Sequence, residues 1–197
     1  MNIDLQTIYR ESTDLLKRFE LTPTFECSWR KTLEEKWELD QELFELCDLP
    51  KNHPAKEDVA KEASDLLITL CNVLYTVHIT PMPDDTYYLD VSAMWEGIPT
   101  PDKSIREMNI DSAWDFQMLF SCFDAYIDGL ANRLDVTRNF RRYCLSLVSM
   151  IKTAGITLLD LEKAMIKTFE KNAKKTPENY HVVNGQIARR PANEVQS

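Results

Sequence analysis

The sequence predicts an all-α helical bundle with a short β-hairpin near its C-terminus. Three observations lead there. Apolar residues recur at helical spacing through most of the chain, nine prolines punctuate the segments, and only after Pro177 does the pattern shorten to two runs around Asn184-Gly185, the signal of a tight hairpin. At 197 residues and 22.9 kDa the chain is long enough to bury a core without disulfides or a structural metal. The expectation is one domain over 1–197, with an insertion at about 80–136 and a basic tail and hairpin over 174–197.

Taken in order, helices are expected over about 2–20, 28–48, 55–79, 112–132, 137–153 and 157–173. Thr32-x-x-Glu35, Ser112-x-x-Asp115 and Thr157-x-x-Asp160 read as capping boxes or first-turn acids, and Pro54 suits a first helical position. Gly155 is placed to end the fifth helix. Residues 80–111 form a Pro-rich acidic segment that carries Tyr87, Tyr88 and Trp95. Tyr180-His-Val-Val and Gln-Ile-Ala-Arg are the two arms of the hairpin.

Composition excludes several functions. Of only four glycines, Gly129 and Gly155 are the nearest pair, so no glycine-rich phosphate loop exists. A formal net charge of −9 opposes nonspecific binding to nucleic acid or anionic membrane. The five cysteines form no CxxC pair and are odd in number, which points to reduced thiols and a cytoplasmic protein. The first ten residues lack the apolar run of a signal peptide, and the longest apolar stretch, Leu66 to Ile79, is interrupted by Asn72 and His78 and is too short to span a bilayer.

The carboxylates carry the chemistry. At about 100° per residue Glu34, Glu35, Glu38, Glu42 and Glu45 share one face of the second helix, with apolar residues on the remainder. Alone, that stripe reads as a solvated face. The third helix is apolar nearly all round and should be buried, yet Glu62, Asp65, Thr69 and Asn72 fall together on it within an arc of roughly 80°. Buried carboxylates need a partner, and from 62 to 79 the helix has no Lys or Arg. Packing the two acidic strips together would make the carboxylates repel one another. A divalent cation resolves the conflict: residues three apart on a helix are neighbours, so Glu35 with Glu38, and Glu62 with Asp65, can each direct two oxygens at one ion. All-oxygen ligation suits Mg²⁺, with Mn²⁺ as a substitute.

Glu34-Glu35-Lys36-Trp37-Glu38 followed by Glu62-Ala63-Ser64-Asp65 resembles the EExxE and ExxD signature of the all-α nucleoside triphosphate pyrophosphatases, the MazG-like superfamily. The resemblance covers roughly residues 28–79 and 157–190. It implies a helical bundle of that type and Mg²⁺-dependent cleavage of a (d)NTP to the monophosphate and pyrophosphate. It makes Glu35, Glu38, Glu62 and Asp65 metal ligands and Glu34 an accessory carboxylate, with Glu34 or Glu38 orienting or deprotonating the attacking water. Asn172-Ala-Lys174-Lys175 is similar to the Asn-x-x-Lys element that contacts substrate phosphates, which makes Lys171, Asn172 and Lys175 the expected phosphate contacts.

The residues give that element independent support, because from Lys163 to Arg190 seven basic residues face only Glu170 and Glu178 in an otherwise acidic chain. Trp29 and Phe25 could stack on a base, although core packing is the stronger reading of lone aromatics; Trp29 and Asn72 are the candidates for base or sugar contact. Wide apolar helix faces, with the habit of such relatives, imply a homodimer or higher homo-oligomer. Alternatives are a dUTPase/dCTPase-type or phosphoribosyl-ATP pyrophosphatase of the same superfamily, or a noncatalytic module whose acidic stripe binds a basic partner. His53, His78 and His181 are scattered, and Glu178-x-x-His181 has no second copy, so a di-iron bundle site is not expected.

Overall fold

The computed structural model describes residues 4–47, 55–80, 95–99, 102–183 and 186–191. Six helices of 14 residues or more follow one another: α1 (Leu5–Arg18), α2 (Phe25–Leu46), α3 (Lys56–Thr76), α4 (Ile105–Ile127), α5 (Arg133–Thr153) and α6 (Leu158–Ala173). A two-stranded antiparallel hairpin, β1 (Tyr180–Val183) and β2 (Gln186–Arg189), closes the described chain with Tyr180 opposite Arg189 and Val183 opposite Gln186. That register leaves a two-residue connection at Asn184-Gly185, which lies outside the described residues, as do Pro54, Tyr87 and Tyr88.

α3 is the axis because it has no polar face wide enough to meet water. Val59, Leu66, Leu70 and Val73 are fully buried, and α1, α2 and α6 pack around them while α5 touches them from a fourth side. α4 and α5 form a helical hairpin whose seam holds Phe116, Leu119, Phe140, Tyr143 and Leu147. The aromatic residues at the start of α2 join this hairpin to the rest: Trp29 stacks on Phe116 at 4.9 Å and on Phe120 at 5.1 Å between ring centroids. Phe25 meets Phe123 at 5.9 Å. At the other end of α2 the Arg106 guanidinium lies over the Phe44 ring, so α2 and α4 run side by side in opposite directions.

Three expected helix starts are corrected. Thr32-x-x-Glu35 is not a cap: α2 begins at Phe25 behind Thr24, whose hydroxyl accepts from the Cys27 amide, and the Thr32 hydroxyl donates to the Ser28 carbonyl inside the helix. α4 begins at Ile105 instead of near 112, because Ser104 and Glu107 form a full capping box. Ser112 and Asp115 are interior and buried, with Asp115 held by Arg142 at 2.6 Å and by the Ser146 hydroxyl of α5. α5 starts at Arg133 on an Asn132/Asp135 box. The Thr157/Asp160 box of α6 is as expected, and Gly155 follows α5 with φ +74°, the left-handed conformation that glycine adopts without a Cβ penalty.

The described part of the 80–111 segment is anchored. Lys152 donates to the carbonyls of Trp95, at 2.8 Å, and Ile98, at 2.5 Å. The five cysteines form no disulfide, and among the described residues no single helix is long and apolar enough to cross a membrane.

Candidate active site

One edge of the acidic stripe of α2 turns inward: Glu35 is buried against α3, Glu38 and Glu42 are half-buried, and Glu34 and Glu45 stay in solvent. Glu35 and Glu62 are each only 6% exposed, and with Asp65 they offer three carboxylate oxygens within 4.8 Å of one another. Burial pushes the Glu35 carboxyl up, the Lys31 ammonium opposes that, and Asp65 and Glu62 add to it by repulsion. Asp65 is likewise raised by burial, with Lys61 pulling down and Glu62 pushing up.

Two lysines compensate this charge, and their positions correct the expectation that the carboxylates lack basic partners. Lys31 lies 2.6 Å from Glu35 and 3.2 Å from Glu34, and Lys61 pairs with Glu62. Lys31 is one turn before the glutamates and Lys61 stands directly before Glu62, so a window beginning at 62 misses the latter. Lys36, the single base within the acidic run, faces away: it is buried and bound to Asp40 at 2.5 Å.

Glu38 borders the triad. It is half-buried, and its carboxyl is raised by burial, then by repulsion from Glu35 and Glu62. Glu34 is exposed and held by Lys31, outside the three-carboxylate group. The donor set fits a hard divalent cation on one further observation: Glu62 Oε2 is buried with no hydrogen-bond partner among the described residues. A buried carboxylate oxygen left without a donor is costly, and a cation satisfies it.

A cleft of about 450 Å³ reaches Glu35 and Asp65 of this group, while Glu62 lies outside its lining. Glu35 and Lys31 form one wall, Asp65, Thr69 and Asn72 the floor, and Thr168, Lys171, Asn172 and Lys175 of α6 the facing wall. Leu16, Leu21, Pro23, Ile68 and Ile187 add apolar surface to it, and Arg30 lines it as well. Thr168 Oγ1 donates to Asp65 Oδ1 at 3.3 Å, which ties α6 to the cluster. Lys171 and Lys175 have no ion-pair partner among the described residues, and the Lys175 pKa is lowered by burial and by Lys171 beside it. Two unpaired ammonium groups held together are a site for an anion.

The C-terminus of α6 that carries these groups is fixed from α1. Arg18 Nη1 donates to the carbonyls of Asn172, Ala173 and Lys175 at 3.1, 3.3 and 2.9 Å. The chain pattern gave no signal for this contact, which joins residues more than 150 positions apart. Asn72 lines the cleft, with its buried Oδ1 lacking a partner among the described residues. Trp29 does not line it. The aromatic cluster with α4 takes up both its faces, so it is corrected from a base contact to a core residue.

Compared with protein families, curated proteins and solved structures, the chain matches none.

Proposed function

We propose that the protein is a divalent-cation-dependent nucleoside triphosphate pyrophosphohydrolase of the MazG-like type, converting a (d)NTP to the monophosphate and pyrophosphate. One observation carries the reading: a cleft lined by Glu35 and Asp65, two members of a three-carboxylate group whose third, Glu62, keeps an unpartnered buried oxygen behind them, also holds two lysines without ion-pair partners among the described residues. Only a ligand that is itself anionic and bridged by a cation satisfies both walls at once. The noncatalytic module reading fits less well, because Glu35 and Glu62 are buried and not presented to a partner protein.

Glu35, Glu62 and Asp65 would hold Mg²⁺, with Glu38 beside them. When bound, such an ion neutralises phosphate charge, acidifies water and stabilises the pyrophosphate leaving group. Lys171, Lys175 and the Asn172 amide hold phosphate oxygens. Glu38 takes the proton of the attacking water as its oxygen bonds to the α-phosphorus, and the bond from that phosphorus to the oxygen bridging to the β-phosphate breaks. A carboxyl raised toward neutral pH suits that role, and Glu38 suits it better than Glu34, which is exposed and tied to Lys31. Asn72, with its unsatisfied Oδ1, meets a donor of the sugar or base.

A homodimer belongs to the same proposal. Leu33, Trp37 and Phe44 on α2 and Ile110, Trp114 and Met118 on α4 are all roughly half exposed or more, and the two helices lie side by side. An exposed apolar patch of this extent marks an interface.

The test is a turnover panel of the natural NTPs and dNTPs with Mg²⁺, resolving the products. Monophosphate with pyrophosphate from at least one nucleotide is expected; NDP and orthophosphate as the only products would overturn the assignment.

A further inference from the structure

Lys31 belongs to two neighbourhoods at once. Its ammonium lies 2.6 Å from Glu35 and 3.2 Å from Glu34, its only carboxylate partners among the described residues, and the same side chain lines the main cleft with Lys171 and Lys175. The pair with Glu35 is asymmetric: the lysine side chain is 44% exposed and the glutamate side chain 8%. Glu35 is therefore fixed in the cluster, whereas the ammonium rides on a flexible stem with room to move. The cleft carries four basic residues, Arg30, Lys31, Lys171 and Lys175, against Glu35 and Asp65. Of those four, Lys31 is the one that an acid of the cluster already engages.

We infer that Lys31 is an exchangeable counter-ion: it holds Glu35 while the cluster lacks a divalent cation, and leaves Glu35 for a phosphate of the substrate once both cation and substrate are bound. The inference rests on the pyrophosphohydrolase reading for its ligand and adds to it the order in which that ligand is assembled. Lys31 competes with a cation because both need Glu35. With a dication between Glu35 and Asp65, the ammonium meets two positive charges at close range, a repulsion larger than a half-exposed ion pair contributes. Turning toward the cleft does not by itself relieve it, since Lys171 and Lys175 are there. An anion among these groups does, so Lys31 gains its second partner only when phosphate arrives. Glu62 needs no such exchange. Lys61 engages Oε1 of Glu62, its buried Oε2 is left for a cation, and Lys61 lies outside the lining of the main cleft.

Removing Lys31 must then act with opposite signs on the two ligands, which a merely structural lysine would not do. The experiment is calorimetry on wild type, Lys31→Gln, Lys31→Arg and Lys61→Gln, first with Mg²⁺ alone and then with inorganic tripolyphosphate in saturating Mg²⁺. Tripolyphosphate has the charged part of the substrate and no base. Lys31→Gln should bind Mg²⁺ about tenfold tighter and tripolyphosphate about tenfold weaker than wild type, while Lys31→Arg, which keeps the charge, stays within about threefold on both. Lys61→Gln should change tripolyphosphate affinity by less than about twofold. Far-UV circular dichroism in Mg²⁺ checks that each variant is folded. Tighter Mg²⁺ binding with unchanged tripolyphosphate binding would mean that Lys31 only shifts toward Glu34, and would overturn the inference. Unchanged or weaker Mg²⁺ binding in Lys31→Gln, or an equal loss of tripolyphosphate affinity in Lys61→Gln, would overturn it too. Turnover of wild type is scored separately. Opposite shifts without hydrolysis of any nucleotide would keep the exchange and remove the hydrolase reading, whereas hydrolysis with a Lys31→Gln protein that binds both ligands like wild type would do the reverse.

Discussion

Lys31 Nζ stands 2.6 Å from Glu35 Oε1, one helical turn away on α2, and is the nearest positive charge to a carboxylate that is otherwise surrounded by Asp65 and Glu62. The pair makes a metal-free cluster tolerable. Removing the ammonium leaves Glu35 buried beside two like charges, and breaking a buried pair from one side costs several kcal/mol, less where one partner is half exposed as Lys31 is. Lys31→Gln is therefore expected to lose about 1–2 kcal/mol of stability in EDTA, with most of the loss restored by saturating Mg²⁺. Urea unfolding in the two buffers measures it; an equal loss in both would mean that Lys31 acts independently of the cluster.

Acidity should act in the same direction. The Glu35 and Asp65 carboxyls are raised in the folded protein, first by burial. A raised folded pKa gives stability that is fully present below the unfolded value and lost as pH rises through the folded value. Without metal, wild type should thus be favoured on going from neutral pH down toward the ordinary carboxylate range, and Asp65→Asn should flatten that slope. In Mg²⁺ the slope should reverse, since the ion binds the deprotonated form. Unfolding midpoints at a series of pH values, with and without EDTA, test this; parallel slopes in both buffers would count against a shared cation site.

Glu38→Gln separates a structural from a chemical role because it keeps shape and removes charge. On a solvated face the change would move stability by less than about 0.5 kcal/mol and leave turnover intact. Beside the cluster, it relieves repulsion, so the metal-free fold should be as stable as wild type or more so, while turnover falls by about 100-fold or more. A variant with near-normal turnover at limiting Mg²⁺ would remove Glu38 from the site.

The association face is tested by charge. Trp37→Glu with Trp114→Glu puts two carboxylates on an exposed surface without touching the core, as both rings are more than 60% exposed. Light scattering should show a wild-type dimer and a monomeric double variant with unchanged helical content. A wild type that is monomeric at all working concentrations would contradict the face.

Much of this was legible because helical spacing converts directly into faces. Five glutamates on one stripe and Glu62, Asp65 and Asn72 on a helix otherwise apolar required a meeting of acids, and α2 packs on α3 with Glu35, Glu62 and Asp65 together. Capping was less legible. Ser112-x-x-Asp115 satisfies the pattern of a cap but is taken by a buried contact to α5, and the true box at Ser104 lies next to a Pro-rich stretch that reads as loop. The counter-ions were less legible because Lys31 lies a turn before the acidic run and Lys61 directly before Glu62, and Arg18 because its three acceptors are backbone carbonyls, which no residue type reveals. Trp29 was ambiguous by nature: an aromatic ring stacks equally well on a base or on Phe116, and only the packing of α4 against α2 decides.

The central claim concerns which phosphorus is attacked. Hydrolysis of a nucleoside triphosphate in ¹⁸O-labelled water, with the products resolved by mass spectrometry, reads this directly, since the water oxygen remains on the phosphorus it attacked. The account predicts one labelled oxygen in the nucleoside monophosphate and none in pyrophosphate. Label in pyrophosphate, or label in orthophosphate released with a nucleoside diphosphate, would contradict it.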